Sequence, residues 1–411
     1  MLNYQMASFF ENCNPCRLTA LEQLALITPK LGRLYTDDRN FDRGIGNHTG
    51  VTMLSPWIRH RLLLEQEVVS SALRAHSFLD AEKFIQEIFW RTYWKGWLEL
   101  HPKVWIDFKT TRDRDLYIWE KDERLSRALA GVTGIKCFDH WLMELRQTHY
   151  LHNHARMWFA SIWVFTLGLP WTIGADLFMQ LLLDGDPASN TLSWRWISGL
   201  QTKGKTYLAR ADNIEKYTEG RFKPDNQLAL EAKPIEETEL PNLKTLEIPM
   251  QPEAGKPSIL LLHDDDLSPE NASLPHQDIV GIALMNGSER RSPNGVAQNV
   301  YDFVEAGLKD ATQRLSNSYV LPLCEAKVEP ILQLAHKTGA QRIICSHAPT
   351  GPIRDAIDDF EIQLGMTEKP NRLVLETGMR AWDSFCWPHA RKGFFNFKKN
   401  IPVILSNLIV L

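Results

Sequence analysis

The feature that most constrains this chain is a change of rhythm after residue 222. Before it, apolar residues recur at three-to-four spacing. Ser77-Phe-Leu-Asp80 opens a run from Glu82 to Leu100, and Asp139 to Leu145 and Arg156 to Phe165 repeat the pattern, which is that of helices. Strand alternation is scarce there. After it, Ser258–His263, Ile279–Met285, Tyr319–Leu323, Arg342–Ser346 and Arg372–Leu375 are short apolar runs. Helical stretches near 296–315, 327–338 and 352–364 alternate with the later runs, which favours right-handed βαβ units on a parallel, Rossmann-like sheet. Residues 223–256 are rich in Pro and Glu and poor in aromatics, the composition of an extended linker. The expected organisation is a mainly α domain over 1–222, a linker over 223–256, and an α/β domain with a helical tail over 257–411.

Composition supports two full cores. The chain has 411 residues, 44% of them hydrophobic and 23% charged, so disorder is not expected. The six cysteines are scattered, and no leader-like pattern opens the sequence; a cytoplasmic protein with reduced thiols is expected. Cys13-Asn-Pro-Cys16 is the one C-x-x-C, and without a second pair it cannot complete a four-thiolate centre. No metal site is expected. Residues 157–175 carry no formal charge, about the length of a membrane span. Gly168 and Pro170 break that run, and Arg156 and Asp176 flank it. It reads as a buried helix of a large helical domain rather than a membrane segment. Charge is uneven, with a net of +2 over 1–222 and −6 over the remainder. A modestly basic first half permits nucleic-acid binding without requiring it.

The chemistry concentrates in that first half, which holds twelve of the fourteen tryptophans. Asp184-Gly-Asp186-Pro-Ala-Ser-Asn190-Thr-Leu-Ser-Trp194-Arg-Trp196 gathers two carboxylates, a carboxamide and two indoles. Upstream, Leu151-His-Asn153-His-Ala-Arg156-Met157 adds a cation and a second carboxamide. Gly50-Val-Thr52-Met53-Leu54-Ser55-Pro56 offers hydroxyls, backbone N–H groups and a helix start, the means of holding a phosphate. Glu87 and Trp90 lie one turn apart on one helical face.

In this order the motifs resemble the flavin-embracing core of the cryptochrome/photolyase family. The resemblance implies FAD, with Tyr35, Thr52, Met53, Leu54, Ser55, Arg91, Arg156, Asp184, Asp186 and Asn190 as cofactor contacts. Arg156 and Asp184 match the ion pair beside the isoalloxazine, and Asn190 matches the residue facing flavin N5. Trp194 and Trp171 match the proximal and middle members of the family's electron-transfer chain, with Trp119 the candidate surface member. Glu87, Trp90, Trp196, Asn153 and Met157 match the pocket that receives a flipped pyrimidine dimer, and Arg39 and Arg210 are the implied DNA contacts. Asn153 matches cyclobutane-dimer photolyases, whereas (6-4) photolyases typically show His there. The sequence departs from the pattern at Val51, where Thr is usual, and at Thr92, where a second Glu is usual. From Tyr207 to Tyr217 it looks more like bacterial cryptochromes. The later α/β region resembles the antenna domain of photolyases only generally, and here it follows the FAD domain instead of preceding it. The antenna pigment is unknown.

The expected function is blue-light-driven, FAD-dependent repair of cyclobutane pyrimidine dimers, with damaged DNA as partner and no membrane. The alternative is a cryptochrome-like photoreceptor that signals to a protein partner through flavin photoreduction. A helical nucleic-acid-binding protein without light chemistry is the third class.

Overall fold

The computed structural model describes residues 13–236, 242–316, 320–366 and 373–409. Tyr319 and Arg372, assigned to strands above, and the last two residues of the tail lie outside the described residues.

The first half is helical: α1 (Arg17–Ile27), α2 (Arg33–Asp38), α3 (Ser55–Arg59), α4 (Glu65–Ala75), α5 (Phe78–Leu100), α6 (Pro102–Trp119), α7 (Glu123–Ala130), α8 (Lys136–Thr148), α9 (Asn153–Ser161), α10 (Trp171–Leu181), α11 (Pro187–Ile197) and α12 (Ala211–Tyr217). Local chemistry sets several ends. Ser77 caps α5 by accepting the Asp80 N–H, and Asp122 caps α7 by accepting two backbone N–H groups, each relieving orphan donors of a first turn. Gly131 closes α7 at φ 70, a left-handed position that glycine adopts without a Cβ penalty. The uncharged 157–175 stretch is not one span. It is the end of α9, a π-turn over Ile162–Thr166, a break at Gly168 and Pro170, and the start of α10. Among the described residues, no helix is long and apolar enough to cross a membrane.

The second half builds a five-stranded parallel sheet in the order β3-β2-β1-β4-β5, from β1 (Ser258–His263), β2 (Ile279–Met285), β3 (Leu323–Glu325), β4 (Arg342–Ser346) and β5 (Leu375–Gly378). The three central strands lie where the apolar runs place them, since burial on both faces produces continuous apolar sequence. The edge strands start later than the hydropathy suggests. Pro322 has no N–H to give a ladder and serves only through its carbonyl, which accepts Ile282 N–H at 3.0 Å. Edge strand β5 runs on through Glu376, Thr377 and Gly378 opposite Ile344, Cys345 and Ser346, polar residues that an apolar window leaves out.

One sheet face, through Ile259, Leu261, Ile343 and Cys345, packs on α14 (Val328–Thr338) and α15 (Pro352–Gly365). The other, through Leu260, Leu262, Ile282 and Ile344, joins α13 (Gln298–Leu315) and the apolar core of the helical half in one continuous cluster. The segment before β1 lies extended across both halves, with Lys244 N–H on the Leu100 carbonyl at 2.8 Å and Gln251 Nε2 on that of Met379 at 2.6 Å.

The chain then returns to α5. In α16 (Ala381–Cys386), Trp382 Nε1 donates to Thr92 Oγ1 at 3.1 Å and Asp383 pairs with Arg61 at 2.7 Å. Trp387 lies on Gly96, where a Cβ would meet the indole at 2.8 Å. From α17 (Phe394–Lys398), Phe394 stacks on Trp90 with ring centroids 3.6 Å apart, before α18 (Ile401–Leu408) ends the described chain. The close approach at Gly96 requires a residue without a side chain. Gly96→Val should destabilise the protein by about 1–3 kcal/mol through overpacking. Urea unfolding followed by circular dichroism should show a lower midpoint at unchanged slope.

Candidate cofactor site

The site is assembled around the turn between α10 and α11. Asp186 caps α11, its Oδ1 accepting the Ser189 N–H at 2.8 Å. Its Oδ2 faces Lys95 Nζ at 3.4 Å, Arg91 at 3.8 Å and Arg59 at 3.9 Å, and makes no hydrogen bond. Burial alone would raise this carboxyl, but Lys95, Arg91 and Arg59 together hold it well below the usual carboxylate range. Lys95 is pushed down by burial, and the attraction of Asp186 is opposed by Arg91 and Arg61. Two residues upstream, Asp184 Oδ2 pairs with Arg156 Nη2 at 2.9 Å. Arg156 is steadied by donating from Nε to the Leu151 carbonyl at 2.9 Å, and its guanidinium lies 5.4 Å from the centre of the Tyr150 ring. Asn190, one turn into α11, donates from its amide to the Ala175 carbonyl at 2.8 Å.

Three buried polar atoms here have no hydrogen-bond partner: Asp184 Oδ1, Asp186 Oδ2 and Arg91 Nε. An unpaired buried donor or acceptor costs about 1–3 kcal/mol, so the two carboxylate oxygens call for donors from a guest and Arg91 Nε for an acceptor. The residues present therefore fit a dinucleotide cofactor.

Trp194 is buried on the same helix. Its ring meets Phe178 at 5.2 Å and Trp163 at 6.4 Å, both edge to face. Gly174 permits this, because a Cβ there would sit 2.3 Å from the indole. The buried Trp171 takes Phe108 as its ring neighbour at 5.6 Å, and the half-buried Trp119 carries Arg124 at 4.9 Å from its centroid. The indole touching Trp194 is thus Trp163, which no motif singled out. In the expected phosphate loop, Met53 is left-handed at φ 54 and Thr52 Oγ1 accepts the Leu54 N–H at 3.4 Å. Ser55 begins α3, a short helix of five residues. Tyr35 packs edge to face on Phe84 at 5.2 Å.

The residues expected around a lesion have partners of their own. Glu87 pairs with Arg39 at 2.8 Å. Trp90 is covered by Phe394, whereas Trp196 stacks on Tyr207 at 5.7 Å. Asp186, at the head of α11, sits beside Arg91 and Lys95, and Trp196 lies ten residues further on, about 15 Å along the helix. Asn153 is exposed at the start of α9, Met157 is half-buried, and Arg210 is exposed and pairs with Asp212 at 3.0 Å. Lys95, Arg59, Trp163 and Phe394 were missed. Lys95 alone left a signal, its i+4 spacing from Arg91 on one face of α5.

Residues 84–228 match the family model of the FAD binding domain of DNA photolyase. The helical region is similar to the FAD-binding domain of photolyases and cryptochromes. A deoxyribodipyrimidine photo-lyase from Streptomyces griseus is 31% identical over 175 residues, 39% of this chain and 37% of that protein. Cryptochrome DASH from Idiomarina loihiensis is 28% identical over 198 residues, 47% of this chain and 42% of its own length. A solved cryptochrome from Synechocystis superposes with a TM-score of 0.43 at 21% identity, covering 50% of this chain and 43% of that one. The chain spans about two fifths of the length of the curated relatives it matches. The matched stretch contains the paired and unpaired charges at 156, 184 and 186.

The buried groups also set a pH response. Burial holds His60 well below the usual histidine range, helped by Arg59 and Arg291, and holds His152 down to about 3. Such histidines stabilise the fold above about pH 6.5 and lose that contribution as pH falls, because the unfolded chain takes up the proton first. Asp186 and Asp265, the latter held at about 2, are carboxylates whose contribution is present above about pH 4 and is lost as pH falls through the folded values. Stability should therefore decline in two stages on acidification, from about pH 6.5 and again below about pH 4. Urea midpoints measured between pH 8 and pH 3 check this, and a midpoint that rises below pH 6 would contradict it.

Proposed function

We propose that this chain is a light-driven, FAD-dependent electron-transfer protein in which Trp194 is the immediate electron donor. The observation that carries this is the meeting, in one buried region, of the Arg156–Asp184 pair, the Asn190 amide and the Trp194 ring. Bound FAD supplies the photochemistry, accepting or giving one electron after absorbing blue light. Arg156 and Asp184 keep opposite charges fixed in a poorly solvated place, so that a change of charge beside them is answered without reorganising water. Asn190, anchored on the Ala175 carbonyl, keeps its carboxamide in a set position. Phe178, Trp163 and Gly174 hold the Trp194 indole without a rotational alternative.

Two uses of this chemistry compete. Stacking of Phe394 on Trp90 favours a cryptochrome-like photoreceptor, because the indole face that a flipped base would take is already filled. The Asn153, Met157, Glu87 and Trp90 matches favour repair of cyclobutane pyrimidine dimers in DNA, with α17 displaced by the lesion. Stacking a base on an aromatic ring contributes about 1–3 kcal/mol, and Phe394 would compete with it.

Under blue light with a thiol reductant, wild-type protein should lose its oxidised-flavin absorbance, and Trp194→Phe should do so on the order of tenfold more slowly or worse. An unchanged rate would remove Trp194 from the pathway. Reduced wild type and Phe394→Ala are then illuminated with UV-irradiated oligothymidylate. Repair by wild type supports the photolyase reading, and repair by Phe394→Ala alone supports a pocket closed by the tail. Intact photoreduction with no repair by either leaves the photoreceptor.

A further inference from the structure

Away from Arg156 and Asp184, the segment joining α2 to α3 folds back on α8 and buries three metal-ligating side chains together. Asp42, His48 and Glu144 each present a ligand atom, and these atoms all lie within 4.8 Å of one another. His48 Nε2 and Glu144 Oε1 are 2.8 Å apart. The remaining atoms of that pair, His48 Nδ1 and Glu144 Oε2, are buried without a hydrogen-bond partner, on side chains 4% and 1% exposed. Asp42 Oδ2 accepts Trp141 Nε1–H at 3.0 Å and pairs with Arg221 at 3.0 Å. Its Oδ1 accepts the Gly44 N–H at 3.0 Å and keeps a lone pair. His140 Nε2 stands 4.0 Å from Glu144 Oε2.

Native interiors seldom leave a carboxylate oxygen and an imidazole nitrogen unmatched in one place. Two carboxylates against one guanidinium also leave this buried group short of positive charge. A divalent cation answers the charge deficit, since it takes one oxygen from each carboxylate and one imidazole nitrogen. Trp141 and Arg221 then act as outer partners commonly do, orienting a ligating carboxylate through its other oxygen. One imidazole with two carboxylates suits zinc or a neighbouring transition ion better than calcium or magnesium, which prefer all-oxygen shells. We propose that Asp42, His48 and Glu144 bind a divalent transition-metal ion, with zinc the representative, which pins residues 39–54 to α8. Because that segment ends in Thr52 and Leu54, the ion would also steady the loop assigned to cofactor phosphate. Sequence reading expected no metal here, since Glu144 is 96 residues from His48 and no ligand-spacing motif joins them.

The test uses the full chain without an affinity tag. After dialysis against metal-free buffer, elemental mass spectrometry should find about one equivalent of a divalent transition metal per chain. A chelator should lower Tm, and added zinc chloride should restore it. Glu144→Gln and His48→Gln, checked for folding by circular dichroism, should retain about a tenth of the wild-type metal or less and lose the zinc-dependent Tm shift. The proposal is overturned if folded wild type holds no metal and zinc leaves its Tm unchanged, or if both variants bind as much as wild type. Should the variants fail to fold, the wild-type metal content and chelator response decide by themselves. Flavin content enters none of these readouts.

Discussion

A buried ionic seam joins the sheet to the helices, and the rest of the structure depends on it. The carboxyl end of β1 runs into Asp264, Asp265 and Asp266, all buried, which meet the Arg59-His60-Arg61 run at the end of α3. Arg59 pairs with Asp265 and donates from Nε to the Gly185 carbonyl at 3.0 Å. His60 Nδ1 lies 2.6 Å from the Asp264 carbonyl, and Arg380 binds Asp266 through two nitrogens at 2.6 and 2.7 Å. Removing one partner would strand a charge in low dielectric, commonly at a cost of about 3–5 kcal/mol. The seam therefore sets where the sheet sits, and through Gly185 it reaches the backbone between Asp184 and Asp186.

This explains how a site built from the first half can depend on the second. Arg59 faces Asp186 on one side and Asp265 on the other, so the charge environment at the head of α11 is shared with the end of β1. Arg291 extends the sharing by donating to the Leu182 carbonyl at 3.3 Å while lying 3.8 Å from Asp264. A cofactor in contact with Asp186 would sense the docking of the two halves.

Helix α5 takes a different constraint on each face. Arg91 and Lys95 turn toward Asp186, Thr92 and Gly96 receive the tail tryptophans, and Trp90 receives Phe394. The tail thus supports the helix that carries the site's cations while covering the indole assigned to a lesion. The cations beside Asp186 and the indole under Phe394 lie on different faces of α5.

The sequence by itself determined the helical first half and the three central strands, and it singled out Arg156, Asp184 and Asn190 as candidates. Periodicity reports which face is buried, and Arg156, Asp184 and Asn190 lie within short motifs whose local spacing survives folding. Edge strands β3 and β5 were legible only in part, because half-buried residues carry no clean apolar run and Pro322 shifts the start of pairing. Tertiary structure alone decided the cations around Asp186, the contact of Trp163 with Trp194, the stacking of Phe394 on Trp90 and the grouping of Asp42, His48 and Glu144. These pairs are remote in sequence, and their interactions depend on distance, desolvation and shape, which are properties of the packed chain and not of any window along it.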